Sequence, residues 1–224
     1  MNYPNFDEEK KLWKKGYNFV AGLDEAGRGP LAGPVVAGAV IINPKHGILI
    51  SDLKIRDSKQ MSANQREDVY EKITVCKDIT WGVGIVSEKV IDKINILEAT
   101  KLAMQKAINN LLSRNPRHKL RYRAKSDDGL FLLIDGNMNF GWGYKYKSII
   151  KGDQKVFSIS AASIIAKVTR DRIMRKYHKK YPNYGFDKHK GYGTKSHFAS
   201  IKKYGPCKIH RKTFRPAGLE LSTA

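Results

Sequence analysis

Only two cysteines, Cys76 and Cys207, occur in the chain of 224 residues, and they stand far apart. No Cys-x-x-Cys or Cys/His spacing accompanies them, which argues against a zinc site and against a disulfide-stapled secreted scaffold. Long apolar runs are also missing: none approaches the roughly 20 residues needed to span a bilayer. The segment Met1 to Lys15 is polar and mixed in charge, without the apolar stretch of a signal peptide. The chain is therefore read as cytoplasmic, with no membrane partner. No Gly-x-Ser-x-Gly elbow is present to carry a nucleophilic serine. The six histidines, His46, His118, His178, His189, His197 and His210, include no obvious catalytic pair. Acid is scarce beside base, with 21 Asp and Glu against 42 Lys and Arg.

What is present is a formal charge of +21 on a chain that is 41% hydrophobic and 10% aromatic. That composition suits a globular protein with one core. So large an excess of one sign repels itself and calls for a polyanionic partner, nucleic acid first and an anionic membrane surface second. The basic residues recur at Lys10–Lys15, Arg114–Lys125, Lys145–Lys155, Arg170–Lys180 and Lys188–Lys212, often beside aromatics. This pattern fits a nucleic-acid groove. A solvated basic surface with no partner would look the same. His189, His197 and His210 fall in the basic C-terminal third, where substrate contact is plausible.

Four segments have strand length and composition: Tyr17 to Leu23, Pro34 to Ile42, Ile79 to Val86 and Leu130 to Ile134. Ser62 with Gln65 reads as a capping box opening a helix to about Thr74. Asn95 with Glu98 marks a second helix, with Leu97, Thr100, Met104, Ile108 and Leu111 on its buried face. A longer helix runs from Ser158 to about Lys180, with Ala162, Ile165, Thr169 and Ile173 on one side, and Thr194 caps another ending near Tyr204. The order implies an α/β domain with a mixed sheet and a helical C-terminal part. The polar, basic segment Arg114 to Gly129 is the expected flexible stretch.

Asp24 and Glu25 sit directly at the end of an apolar strand and are followed by Ala-Gly27-Arg28-Gly29-Pro30. Strand neighbours face opposite sides, so both acids reach one site only if the chain bends there, and the glycines make a bend easy. A plain surface turn accounts for these residues equally well. Asp135 likewise ends an apolar strand, and Asp153 precedes the long helix. Asp171, flanked by Arg170 and Arg172, reads as a helix ion pair, and Asp127 and Asp128 as solvated loop acids. Carboxylates gathered at one sheet edge repel one another unless hard divalent cations such as Mg²⁺ neutralise them, and that pairing suits phosphodiester hydrolysis.

These residues resemble the type 2 ribonuclease H family, specifically bacterial ribonuclease HII. The resemblance runs from about Gly16 to Pro216, through AGLDEAGRGPLAGPVVAGAVI (Ala21–Ile41), DSKQMS (Asp57–Ser62, with Met61 for the usual Leu) and NILEATKLAM (Asn95–Met104). It continues through LIDGN (Leu133–Asn137), KGD (Lys151–Asp153), SAASIIAKVTRD (Ser160–Asp171), GYGTKSH (Gly191–His197) and GPCKIHRKTFRP (Gly205–Pro216). It implies an RNase H-like mixed β-sheet flanked by helices, as one domain over 1–224 with a core at about 16–180 and a C-terminal helical extension at about 181–224. It also implies a four-acid site at Asp24, Glu25, Asp135 and Asp153 binding Mg²⁺ or Mn²⁺, with Asp153 supplied by the resemblance alone. The implied substrates are RNA–DNA hybrids and duplex DNA containing a ribonucleotide, cut by a monomer. Gly27, Arg28 and Gly29 are implied to contact the ribose 2′-hydroxyl at the cut, and Tyr192 to stack on the next sugar. The related ribonuclease HIII type carries an extra N-terminal domain; only about 16 residues precede the matched segment here, which disfavours that type. A basic RNA-binding protein without catalysis and a DNA nuclease of similar fold are the alternatives. Acids at strand ends argue against the first, and the Gly-Arg-Gly and Tyr192 elements against the second.

Overall fold

A computed structural model describes residues 3–44, 55, 58, 61–114, 129–139, 141 and 143–214. Asp57, His46, His118, Asp127, Asp128 and nearly all of the Arg114–Gly129 stretch lie outside the described residues. The described elements run α1 (Asp7–Lys14), β1 (Phe19–Ala26), β2 (Val35–Ile42), α2 (Ala63–Val75), β3 (Ile79–Val86) and α3 (Glu88–Arg114). Then follow β4 (Leu130–Asp135), β5 (Lys145–Ile149), α4 (Phe157–Lys180), α5 (Phe186–His189) and α6 (Lys195–Tyr204), with short 3-10 turns at Gly152–Gln154 and Pro182–Tyr184. Among the described residues no helix is long and apolar enough to cross a membrane.

The five strands form one mixed sheet in the order β3-β2-β1-β4-β5. β1 pairs antiparallel with β2 and parallel with β4, and β5 runs parallel to β4. α3 covers one face and α4 the other. Alternation sorts the side chains: Ala37, Ala39 and Ile41 join the core under α3, while Val40 and Ile42 join the core under α4. On the α4 face the sheet is pared to glycine. A Cβ on Gly22 would lie 2.2 Å from the Ser158 backbone, and one on Gly38 would lie 2.3 Å from the Ala162 carbonyl oxygen. The helix therefore rests directly on the strands, next to the acids that β1 and β4 carry.

The capping box at Ser62 is present, with the Ser62 hydroxyl accepting from Gln65 N and the Gln65 side chain accepting from Ser62 N. Asn95 caps as expected: its Oδ1 accepts from Leu97 N and Glu98 N. A preceding helical stretch from Glu88 joins it across a break at Asn95, whose φ is 65°. Thr100, Met104, Ile108 and Leu111 are buried as expected, but Leu97 is 41% exposed and Ala99, Ala103 and Ala107 complete the face. The small side chains let the helix approach the sheet closely. In the long helix α4, the first half is buried nearly all round, so the one-sided reading fails there. Its flanks are covered by α1, α2 and the sheet together. β5 is not among the four strands expected from the sequence: exposed Lys145 and Lys147 alternate on it, the pattern of a charged edge strand.

The C-terminal part is tied to the loop after β1. Ala32 bridges His210, Gly33 N donates to Ile209 O, and Arg211 N donates to Leu31 O. A separate apolar cluster of Ala32, Met174, Tyr184, Phe186 and Ile209 seals this junction.

Candidate metal centre and substrate loop

The register Leu23↔Ile134 is the last pair of the parallel β1–β4 ladder, and one step beyond it stand Asp24 and Asp135. Paired positions point to the same side of a sheet, so both carboxylates face α4. The third acid arrives on the turn leading into that helix. Lys151 adopts the left-handed conformation (φ 55°), and the following 3-10 turn folds back under the end of β4. Asp135 Oδ1 accepts from Gly152 N at 2.6 Å and from Asp153 N at 3.4 Å, which fixes the turn against the strand. Asp24, Asp135 and Asp153 each present an oxygen, all within 4.8 Å of one another. Asp24 and Asp153 are buried and Asp135 is half-buried. Three hard oxygen donors at this spacing, from three separate segments, fit a divalent cation.

Burial pushes the Asp24 carboxyl well above the usual carboxylate range, and the charges of Glu25 and Asp135 push it further. The Ser163 hydroxyl and the Glu25 N–H act in the opposite direction. Ser163 in turn hydrogen-bonds Ser58 at 2.9 Å, so α4 and the segment before α2 both brace the acid.

Glu25 lies outside this group of three. The strand stays regular through both acids, so Glu25 faces away from Asp24, and its Oε1 accepts from Arg28 at 3.3 Å. The bend expected at the acids falls two residues later, at Gly27, whose φ is 97°. A Cβ there would collide with the Arg170 side chain at 2.0 Å. Asp171 is an ion pair on its helix, as expected, though with Lys167 at 2.8 Å and not with its flanking arginines.

The loop from Gly27 to Pro34 is held by two buried arginines that sequence reasoning did not single out. Arg170 donates to Pro34 O, Ala32 O and Lys190 O. Arg211 donates to Gly27 O, Arg28 O and Gly33 O. Their only sequence signal is their place within two of the family-like strings. The loop between α5 and α6, which carries Gly191 and Tyr192, docks on the loop from Gly27 to Pro34: Leu31 N donates to Gly191 O, and a Cβ on Gly29 would lie 3.9 Å from the Tyr192 ring. Tyr192 is 44% exposed and its ring lies 5.9 Å from the Arg170 guanidinium carbon. Arg28, Gly29 and Tyr192 are thus exposed where the two loops meet, while Gly27 is buried against Arg170. Substrate contact fails for His197 and His210, which are buried, and the half-buried His189 is engaged with Tyr184 O and Gly191 N.

The ribonuclease HII family model matches residues 21–217. The ribonuclease HII of Chlamydia caviae is 49% identical over 208 residues, covering 93% of this chain and 89% of its own length. That of Caldanaerobacter subterraneus is 51% identical over 206 residues, covering 92% and 78%. Among solved structures, the ribonuclease H2 of Pyrococcus horikoshii superposes with a TM-score of 0.66 at 30% identity, covering 88% of this chain and 93% of that one. With the mixed sheet, the flanking helices and the three-acid centre in place, the chain belongs to the ribonuclease HII family and is a metal-dependent endoribonuclease.

Proposed function

We propose that the chain, as a monomer, hydrolyses the RNA strand of RNA–DNA hybrids and incises on the 5′ side of single ribonucleotides embedded in duplex DNA. Asp24, Glu25, Asp135 and Asp153 form the acid set for two Mg²⁺ or Mn²⁺ ions. The observation that carries this is the convergence of three carboxylates from β1, β4 and the turn before α4 within 4.8 Å, on a chain of net charge +21. A protein that only bound nucleic acid would gain nothing from acids that repel phosphate.

Bound divalent ions would supply an activated water and neutralise the leaving 3′ oxygen, so the products carry 3′-hydroxyl and 5′-phosphate ends. The remaining work falls to the chain. The part of Glu25 in the acid set rests on the family resemblance; structurally, it links the acids to Arg28 at the mouth of the loop. Gly27, Arg28 and Gly29 present backbone groups to the 2′-hydroxyl that separates RNA from DNA. Tyr192 packs on the sugar of the 3′ neighbour. The domain core at 16–180 carries the acids, and the C-terminal part at 181–224 carries Tyr192 and its basic surroundings.

The test is incubation with a duplex bearing one ribonucleotide, with Mg²⁺, with Mn²⁺ and with chelator, followed by end-group analysis. A single metal-dependent cut leaving 3′-hydroxyl is expected. Metal-independent cleavage, 2′,3′-cyclic phosphate ends, or equal cutting of an all-DNA duplex would overturn the reading.

A further inference from the structure

We propose that His197 and His210 form a positioning pair, transmitting the conformation of the C-terminal turn at Cys207 to Tyr192. The proposal rests on Tyr192 being a substrate contact. Neither histidine reaches the surface, so neither touches substrate.

The argument begins with proton placement. The Tyr192 carbonyl oxygen can only accept, so the 2.9 Å contact to His197 Nδ1 requires a proton on that nitrogen. In the neutral ring, His197 Nε2 then carries a lone pair. It lies 3.1 Å from His210 Nε2, so His210 must donate. That leaves His210 Nδ1 as an acceptor, and the Cys207 N–H points at it from 2.9 Å. The Cys207 carbonyl oxygen also lies 3.2 Å from His210 Nδ1, but it already accepts from His210 N at 3.0 Å, and the neutral ring's one proton is committed to Nε2 by the His197 contact. One directed chain therefore runs from Cys207 N–H through His210 and His197 to Tyr192 O. His189 stacks on His197 with ring centroids 4.4 Å apart, and Phe186 meets both His197 and His210, so the rings have little room to turn.

The placement of this chain gives it a function. Arg211, the next residue after His210, donates to Gly27 O and Arg28 O. The same turn thus fixes the Gly-Arg-Gly loop through Arg211 and Tyr192 through the histidine pair. The two surfaces that would grip the ribose and its 3′ neighbour are held at one spacing from a common base. An exposed aromatic ring selects a sugar only when its own backbone is held in place.

The experiment is a double-mutant cycle on kcat/KM with a single-ribonucleotide duplex and a continuous hybrid. His197→Phe keeps the ring and removes both hydrogen bonds. It should lower kcat/KM on the single-ribonucleotide duplex by about tenfold, comparable to losing a stacking contact. His197→Asn keeps a donor near the Nδ1 position and should recover most of that loss. In a Tyr192→Ala background, His197→Phe should cost less than about twofold, because nothing remains to position. A full His197→Phe loss persisting in the Tyr192→Ala background would overturn the proposal. If Tyr192→Ala costs equally on both substrates, junction reading by Tyr192 fails, while a vanishing His197 effect in that background still upholds the pair. If Tyr192→Ala costs nothing, the pair has no contact to position and the proposal falls. Imidazole ¹⁵N shifts of the wild type at neutral pH provide a readout that needs no variant: Nδ1–H on His197 and Nε2–H on His210 are expected, and the reverse tautomers would overturn the direction of the chain.

Discussion

Asp24 shows how a residue's cost and its use are joined. A buried carboxyl beside Glu25 and Asp135 is hard to ionise, so the metal-free site weakens the fold as pH rises from the carboxylate range through the raised pKa of Asp24. Asp24→Asn removes that repulsion and keeps the shape. It should abolish cleavage, by roughly a hundredfold or more, while the metal-free melting temperature stays level or rises. Mn²⁺ should raise the melting temperature of the wild type and leave the variant unchanged; equal shifts in both would remove Asp24 from the metal centre. The histidines pull the other way. Burial holds His197 down at about 4 against a usual 6.5, so its stabilising neutrality is complete above about 6.5 and is lost as pH falls toward 4, by up to about 3 kcal/mol. Denaturation midpoints across that window should fall more steeply in the wild type than in His197→Phe. Sequence made Asp24 and Asp135 visible because each follows an apolar run. Asp153 gave no such signal, since its place depends on a left-handed lysine and a hydrogen bond to a residue 18 positions away.

Among the elements, those with local signals were legible. Capping residues at Ser62, Asn95 and Thr194 marked helices that the structure contains, and the β-branched runs marked strands. The less legible features depend on contacts between distant segments. Helix α4 opens at Val156 without a side-chain cap of its own. Its cap comes from α1: buried Glu9 accepts from Ser158 N at 2.8 Å, while Asn5 and Val156 pair as a short parallel bridge. No sequence window contains both partners. The carboxylate also meets the positive end of a helix that carries Ser163 and the Asp153 turn. Glu9→Ala leaves a buried amide unpaired and opens a small cavity, so it should lower stability by about 2–3 kcal/mol in a urea titration. Glu9→Gln keeps an acceptor and should lose less than half of that. A Glu9→Ala loss below about 0.5 kcal/mol would show that the N-terminus of α4 is satisfied by other groups.

At the scale of the whole molecule, the sequence gives the size of the charge excess and the fold distributes it. Beside Tyr192, the helix α6 and its approach expose Lys195, Lys202 and Lys203. At the opposite end of the sheet, before β3, stand Lys72 and Lys77. The strand registers fix that separation: Val86 and Ala26 both meet the β2 end at Val35 and Val36, whereas Ile79 meets Ile42 at the other end. Binding to a polyanion releases counterions only from phosphates that cations actually contact, so the salt dependence of affinity counts contacts and ignores net charge. Hybrid binding by the Asp135→Asn variant should weaken by about a thousandfold between roughly 50 and 200 mM salt if about six phosphates are engaged. Lys195→Glu with Lys202→Glu and Lys72→Glu with Lys77→Glu change the net charge equally. The first pair should flatten the slope of log affinity against log salt by about two, and the second should leave it unchanged. Fluorescence anisotropy across a salt series measures both. Equal flattening by the two pairs would mean that the charge acts as a diffuse field, and the C-terminal part would lose its claim to the substrate's backbone.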